Sequence, residues 1–131
     1  MKSIHVSGTR KSAVARATLV PGAGIVRINS QLLDTYEPAM SRLKIQEPLI
    51  IAGDKAKSVN INVSVCGGGT SSQAEAARLV VAKALAAYDK TLQKKFLDYD
   101  RVLLVADVRR KETHKPNRHG KARALRQTSY R

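Results

Sequence analysis

The stretch SVNINVSVCGGGTSSQAEAARLVVAKALAAY, residues 58–88, decides the fold because it contains a strand, a glycine turn and a helix in direct succession. Apolar and polar side chains alternate over residues 58–65, which predicts a β-strand with one buried and one polar face. An apolar stripe at helical spacing predicts a helix over residues 72–88. Ser72 and Glu75 have the spacing of a capping box at the start of that helix.

The N-terminal part has the pattern of several short strands. Residues 3–7 alternate between polar and apolar side chains and stop at Gly8, which predicts one strand. Residues 13–20 and 25–29 are β-prone runs on either side of a Pro-Gly-Ala-Gly loop, and we expect them to pair as a hairpin. The following residues, 31–36, are expected to be irregular or briefly helical.

Helical patterns dominate the rest of the folded part. Residues 39–52 predict a helix that ends at Gly53 and is kinked or divided at Pro48. A further helix is expected over residues 90–97, and residues 102–105 are a short β-prone run. This order of strands, helix, strand, helix and strand predicts a two-layer α+β domain.

Positive charge is the strongest compositional feature of the chain. Lysine and arginine number 24 against 10 acids, a net charge of +14. Residues 109–131 hold nine basic residues and one acid and so carry +8, while residues 1–108 carry +6. We therefore divide the chain into a globular domain, residues 1–108, and an extended basic tail, residues 109–131. Positive charge concentrated in this way attracts a polyanion, most commonly nucleic acid. The alternative is a tail that only increases solubility.

Composition also limits the compartment and the mode of binding. Cys66 is the single cysteine and cannot form an internal disulfide, and no signal-peptide pattern is present, so a soluble intracellular protein is expected. No apolar run approaches the ~20 residues that span a bilayer. Aromatic residues make up 4% and tryptophan is absent, which argues against base stacking on aromatic side chains as the main binding mode.

The glycine triplet Gly67, Gly68 and Gly69, followed by Thr70 and Ser71, is a candidate anion site between strand and helix. Free backbone N–H groups and the helix dipole at such a turn can hold phosphate. A nucleotide-binding P-loop requires a lysine after the glycines at a spacing that this sequence lacks. Three interpretations stay open: a tight turn with positive φ, a nucleotide site, and a site for an RNA phosphate, which fits better.

A second candidate site is the segment GTRKSAVAR, residues 8–16. Its three cations and two hydroxyls suit phosphate oxygens, since charge supplies affinity and hydroxyls add directed hydrogen bonds. These residues are Thr9, Arg10, Lys11, Ser12 and Arg16. An ordinary solvated loop is the alternative.

The sequence contains no constellation typical of catalysis or metal binding. The three histidines do not form zinc-type ligand pairs with Cys66, which is expected to be a buried, small apolar residue. The acids between residues 98 and 107 are expected to balance the charges of Arg101 and Arg109 rather than act as an acid–base pair. We therefore expect no cofactor, no metal ion and no enzymatic activity.

Three stretches of the chain, in order, are similar to the signatures of one protein family. They are GTRKSAVARATLVPGAGIVRIN (residues 8–29), GGGTSSQAEAARLVVAKAL (67–85) and YDRVLLVADVRRKETHKPNRHGKARALRQTSYR (99–131). Over essentially its whole length the chain resembles the family of the ninth protein of the small ribosomal subunit. Its final Ser-Tyr-Arg is closer to the archaeal and eukaryotic branch of that family than to the bacterial one.

The resemblance implies a fold similar to the second domain of the fifth small-subunit protein, with a mostly antiparallel sheet, backing helices and a left-handed βαβ crossover. It implies a cytoplasmic ribosomal protein in the head of the small subunit, bound to the 3′ major domain of the rRNA and to neighbouring head proteins. It further implies that the tail threads through rRNA to the peptidyl-site tRNA.

Position by position, the resemblance implies three sets of residues. On the globular side, rRNA would be bound by Thr9, Arg10, Lys11, Ser12 and Arg16, with Gly67, Gly68, Gly69, Thr70 and Ser71 close to it. Along the tail, rRNA phosphates would be neutralised by Arg109, Arg110, Lys111, Lys115, Arg118, Lys121, Arg123 and Arg126. At the end, Arg131 would contact tRNA, with Ser129 and Tyr130 placing it.

The composition of the tail agrees with this, because lysine and arginine spread among Gly, Pro, Asn and Thr cannot form a packed core. Two other classes of function stay open at this point. One is a general nucleic-acid-binding protein that acts by charge alone. The other is a nucleotide-dependent enzyme that uses the turn at residues 67–71.

Overall fold

The computed structural model describes residues 2–117 and residue 122. Within these residues five strands are present: β1 (Ile4–Arg10), β2 (Ala13–Pro21), β3 (Val26–Ile28), β4 (Gln31–Leu32) and β5 (Val59–Cys66). The same part of the chain forms three α-helices: α1 (Ala39–Ala52), α2 (Thr70–Tyr88) and α3 (Thr91–Tyr99). Shorter 3-10 helices cover Leu33–Thr35, Gly53–Ser58 and Arg101–Leu103.

The strands form one mixed sheet in the order β1-β2-β5-β3-β4. Neighbouring strands are antiparallel except β3 and β5, which are parallel and joined through α1 as a βαβ crossover. The predicted α+β class, with a mostly antiparallel sheet backed by helices, is confirmed. The left-handed sense of the crossover stays a prediction.

The predicted hairpin between residues 13–20 and 25–29 is wrong because β5 lies between β2 and β3. The connecting loop is bonded to the start of β5 instead. The N–H groups of Gly22 and Gly24 donate to backbone carbonyl oxygens there, and the Asn60 side chain accepts from two further loop N–H groups. Because β5 satisfies the polar groups of the loop, β3 can pair on its far side.

The hairpin that the structure does contain joins β1 to β2 through Lys11 and Ser12. Lys11 has a φ of 53°, the left-handed conformation common in tight hairpin turns. The strand also continues past Gly8, where the sequence pattern predicts its end. Gly8 is buried against α2: a Cβ there would lie 2.7 Å from Leu79 Cδ2 and 3.1 Å from Val80 Cγ1.

One face of the sheet packs on the helices, and no helix of the described part of the chain covers the other face. α2 lies directly on β1, β2 and β5, and α1 and α3 pack on α2. The inward residues of β2, and five alanines of α2, have almost no accessible surface: Ala13, Ala15, Ala17 and Leu19, with Ala74, Ala76, Ala77, Ala82 and Ala84. Small side chains on both sides allow the helix to approach the sheet closely.

The first helix has the bounds that the sequence predicts, and Gly53 at its C-terminal end has a φ of 61°. Pro48 does not divide it. The proline is fully buried in the core, so packing offsets the backbone hydrogen bond that a proline cannot donate.

The second helix begins at Thr70, two residues before the predicted start, and its N-cap is Gly69. The predicted capping box is wrong because Glu75 is bound elsewhere. Its Oε2 accepts from Arg10 Nε at 2.7 Å and its Oε1 from Lys44 Nζ at 3.4 Å.

The β-prone run at residues 102–105 is not a strand. Asp100 Oδ1 accepts from the N–H of Val102 at 3.0 Å, which starts a 3-10 turn and buries Leu103. Residues 104–117 contain no helix or strand. The division into residues 1–108 and 109–131 stays a prediction.

We expect Gly8→Val to lower the free energy of unfolding by about 1–3 kcal/mol, because the added methyl groups would overlap Leu79 and Val80. Ser7→Val is the matched control, since it adds the same side chain at the exposed neighbouring position and should change stability by less than about 0.5 kcal/mol. Urea unfolding measures both changes. Equal midpoints for the two variants would contradict the close contact between β1 and α2.

Candidate nucleic-acid interface

Three of the segments predicted to bind RNA meet at one end of the sheet: the β1–β2 turn, the glycine turn before α2, and residues 109–111. A Cβ on Gly67 would lie 2.5 Å from the carbonyl oxygen of Ser12, and a Cβ on Gly68 would lie 3.0 Å from the Ala13 nitrogen. The glycine turn therefore packs directly on the β1–β2 turn. One concavity beside them, the basic cleft, is lined by Lys11, Ser12, Arg109, Arg110 and Lys111.

The backbone conformation of the glycine turn explains why glycine occupies two of its three positions. Gly67 and Gly68 have φ values of 76° and 64°, and Gln73 Nε2 donates to the Gly67 carbonyl oxygen at 3.0 Å. The tight-turn interpretation is confirmed for these two residues. Gly69 is different, because its backbone is extended and a Cβ there would meet nothing within 4 Å.

The N-terminus of α2 follows this turn without a side-chain cap, because its N-cap is Gly69. The N–H groups of the first helical turn have no intrahelical partner in any α-helix. Thr70 and Ser71, which begin the helix, are exposed. Their N–H and hydroxyl groups can therefore donate to an anion, and the helix dipole favours negative charge at this end.

Arg10 points into the domain and does not line the basic cleft. Its side chain is 12% exposed; Nε bonds Glu75 Oε2 at 2.7 Å, and Nη2 lies 3.5 Å from Asp107 Oδ2. Lys44 Nζ also pairs with Glu75, at 3.4 Å. The Arg10 guanidinium thus joins β1 to α2 and to the residue two positions before the tail.

The start of the tail is bound back onto the domain. Asp107 accepts from the Arg109 guanidinium at 2.7 Å and from the Arg109 backbone N–H at 2.9 Å. These hydrogen bonds hold the pKa of the Asp107 carboxyl well below its usual range. Arg110 Nη2 donates to Thr9 Oγ1 at 2.8 Å, and its Nη1 donates to the Lys11 carbonyl oxygen. The direction in which the tail leaves is therefore set by side chains of β1 and its turn.

The cleft is left with free positive charge. No acid lines it, and within residues 2–117 the side chains of Lys11 and Lys111 have no hydrogen-bond or ion-pair partner. Arg109, although paired with Asp107, is 78% exposed. Ser12 adds an exposed hydroxyl. This arrangement of cations and donors is suited to phosphate oxygens.

The other residues predicted to bind RNA lie elsewhere. Arg16 is exposed on β2, on the sheet face opposite the helices. Lys115 is ion-paired with Glu112. The remaining predicted ligands lie outside the described residues: Arg118, Lys121, Arg123, Arg126, Ser129, Tyr130 and Arg131.

Long-range ion pairs were not predicted from the sequence. Arg78 Nε of α2 donates to Glu47 Oε2 of α1 at 2.7 Å, and its Nη2 donates to Asp100 Oδ2 at 3.2 Å. Asp100 therefore balances Arg78 rather than Arg101, whereas the expected pairing of an acid with Arg109 is confirmed. The two partners of Arg78 are 31 and 22 residues away in the sequence, and no periodic pattern predicts an ion pair at such separations.

Cys66 is exposed at the end of β5, so its predicted burial is wrong. It belongs to the outward-facing series of that strand, after Asn60, Asn62 and Ser64. Among the described residues no group of three or more His, Cys, Asp or Glu side chains is placed to hold a metal ion. In the same part of the chain, no helix combines the length and apolar character needed to cross a membrane.

A small α+β domain with unpaired cations around a cleft, continued by a basic tail, defines a class of polyanion-binding proteins. Comparison with known proteins specifies the class. The family model described as ribosomal protein S9/S16 matches residues 8–131. The chain therefore belongs to the ribosomal protein S9/S16 family.

Full-length relatives agree with this assignment. The small ribosomal subunit protein uS9 of Methanococcus vannielii is 46% identical to this chain, and the match covers 100% of both. The protein of the same name from Methanococcus maripaludis is 44% identical with the same coverage. The predicted resemblance, including its archaeal character, is confirmed, and the chain is a structural, non-enzymatic ribosomal protein.

We expect Gly67→Ala to destabilise the domain by about 3 kcal/mol, because alanine is strained at this positive φ and its Cβ would lie 2.5 Å from the Ser12 oxygen. Gly69→Ala is the matched control and should cost less than about 1 kcal/mol. Urea unfolding measures both. If the two substitutions were equally costly, the direct packing of the glycine turn on the β1–β2 turn would be wrong.

Asp107→Asn should destabilise the protein at neutral pH but not in strong acid. The pKa of Asp107 is lower in the folded than in the unfolded state. Its contribution to the free energy of unfolding is therefore complete above the unfolded-state pKa of about 3.9, and it is lost as the pH falls through the lower folded-state pKa. The difference in unfolding midpoint from wild type should be constant from about pH 7 to pH 5 and should shrink progressively below about pH 4.

Urea unfolding at a series of pH values measures this difference. Asp98→Asn is the control, because Asp98 is an exposed acid of α3 with no ion pair among the described residues. A penalty for Asp107→Asn that grew towards acid pH would contradict the assigned role of the carboxylate.

Proposed function

We propose that the basic cleft binds phosphates of the small-subunit rRNA in the head of the subunit, and that the end of the tail contacts peptidyl-site tRNA. As a member of the S9/S16 family whose full-length relatives are small-subunit proteins, the chain is a structural constituent of the small ribosomal subunit. Its partners are therefore rRNA and neighbouring ribosomal proteins. The observation that carries the proposal is that two predicted RNA-binding segments line one cleft without acids, while a third, the glycine turn, packs directly on the β1–β2 turn.

The chemistry of the cleft favours the sugar–phosphate backbone over the bases. Lys11 and Lys111 supply unpaired charge, Ser12 supplies a hydroxyl, and the N-terminus of α2 supplies N–H groups beside them. Each phosphate that a cation neutralises releases condensed counterions, which makes affinity dependent on salt. Among the described residues no aromatic side chain lines the cleft, so these residues offer no surface on which bases could stack.

The ion pairs behind the cleft give it a defined shape before RNA binds. Arg10 joins Glu75 and Asp107, and Arg110 bonds to Thr9 and the Lys11 carbonyl oxygen. We assign Arg10 a positioning role, because its guanidinium is occupied inside the domain. Ordering these residues in advance lowers the entropic cost of binding.

Residues beyond the cleft extend the same binding along the tail. Lysine and arginine recur there every few positions, and the proposed rRNA contacts are Lys115, Arg118, Lys121, Arg123 and Arg126, besides Arg16, Thr70 and Ser71 on the domain. If extended, the last eighteen residues of the tail, 114–131, would span up to about 60 Å, so the end of the tail can act far from the domain. Arg131, placed by Ser129 and Tyr130, is the proposed tRNA contact.

The cleft is tested with the double variant Lys11→Gln/Lys111→Gln and an RNA transcript of the rRNA head domain. The control Lys94→Gln/Lys95→Gln removes the same charge from exposed lysines of α3 that have no ion pair among residues 2–117. We expect the cleft variant to weaken binding and to reduce the slope of log K against log salt by about 1.4–1.8, since each phosphate contact contributes about 0.7–0.9. Equal losses in both doubles would show binding by overall charge and overturn the proposed cleft.

The tRNA contact is tested by deleting residues 129–131. We expect subunits that contain the shortened chain to assemble normally but to bind peptidyl-site tRNA more weakly, because the terminal cation is lost. The full-length variant Lys95→Gln, which also loses one positive charge, is the control. Unchanged tRNA affinity after the deletion would overturn this part of the proposal.

A further inference from the structure

The sheet face that the helices leave uncovered is polar at its centre. Strand residues alternate between the two faces, and the middle of the outward face is formed by Arg16 and Thr18 on β2, Asn62 and Ser64 on β5, and Arg27 on β3. Val14 and Val20 of β2 and Asn60 and Cys66 of β5 lie on the same face, towards its ends. The five residues in the middle, named the open face, line a single concavity. Asn29, at the end of β3, also borders it, but both ends of its amide are bonded to the Val65 backbone.

Strand register brings the open-face residues together. Arg16 is paired with Ser64, Thr18 with Asn62, and Asn62 in turn with Arg27 across the parallel pair. Arg16 and Arg27 are thus two strands and two residues apart, about 12 Å between Cα atoms. Two long side chains at this separation can reach the same or neighbouring anionic groups.

The charge on this face has no internal compensation. The five strands contain no Asp or Glu. Within the part of the chain that the structure describes, the side chains of Arg16, Arg27, Asn62 and Ser64 have no hydrogen-bond or ion-pair partner. By contrast, Arg10 and Arg78 are each held by two carboxylates.

The geometry points to a second RNA-binding surface: we propose that the open face binds the ribose–phosphate backbone of an RNA strand. Arg16 and Arg27 would neutralise phosphates, while Asn62, Ser64 and Thr18 would donate to or accept from phosphate and 2′-hydroxyl groups. No aromatic residue within residues 2–117 lines this concavity, so bases would not stack on these residues. Recognition would therefore depend on backbone shape and not on base sequence.

Strand β2 connects the open face to the turn that borders the basic cleft. Arg16 lies four residues after Ser12, about 13 Å along β2 from the turn that borders the cleft. RNA that occupies the cleft is thereby close to this surface. The inference rests on the proposed function for the identity of the polyanion, but apart from Arg16 it involves different residues.

The test uses the double variant Arg16→Gln/Arg27→Gln and the same head-domain transcript, with Lys94→Gln/Lys95→Gln as the matched charge control. We expect affinity to fall about ten-fold at physiological salt, with a salt slope smaller by about 1.4–1.8. Asn62→Ala/Ser64→Ala should weaken binding without changing the slope, because it removes no charge. Thermal unfolding confirms that each variant is folded.

Hydroxyl-radical footprinting locates the contact. Arg16→Gln/Arg27→Gln should remove protection from riboses different from those exposed by Lys11→Gln/Lys111→Gln. If the cleft variant loses affinity and the open-face variant binds as wild type, the open-face proposal is overturned and the proposed function stands. If neither variant binds more weakly than the lysine control, both fail.

A third outcome separates RNA from protein as the partner. An open-face variant that binds the transcript normally, yet fails to enter reconstituted subunits, would show that a neighbouring acidic protein covers this face. That result would also overturn the RNA proposal.

Discussion

Helix α2 lies so close to β1 that one methyl group on Gly8 would overlap Leu79, and alanines fill both sides of the contact between this helix and β2. The rest of the domain depends on this approach, because α1, α3 and the last 3-10 turn all pack on α2. The same approach sets the N-terminus of α2 beside the β1–β2 turn. Close packing in the core therefore builds the cleft at its edge.

Ion pairing divides the positive charge of the chain into two groups. Arg10 and Arg78 are shielded and held by carboxylates of other elements, so they stabilise the arrangement of α1, α2 and the start of the tail. Lys11, Lys111, Arg16 and Arg27 have no such partner within the described residues and are exposed. Where the few acids lie thus determines which cations are available to a polyanion.

Elements with a strong local pattern were predicted well. The strand at residues 59–66 and helix α2 follow from alternation and helical spacing, and α1 has its predicted bounds. The prediction that β2 and β3 pair as a hairpin was wrong, because local β-propensity does not determine which strands become neighbours in the sheet. The prediction of a capping box at Ser72 and Glu75 was wrong for a similar reason, since Glu75 is bonded to the distant Arg10 and Lys44 and not to the nearby backbone.

The sequence by itself determined the α+β class, the excess of positive charge and the family, because these depend on composition, periodicity and ordered motifs. Only the tertiary structure decided which predicted ligands share a cleft, that Arg10 is committed to Glu75 and Asp107, and that an acid-free sheet face is left open. The physical reason is that pairing and burial depend on contacts between residues far apart in the chain. Arg10 on β1 and Arg16 on β2 are both strand cations, only six positions apart in the sequence. Even so, Arg10 faces the helices and Arg16 faces outward.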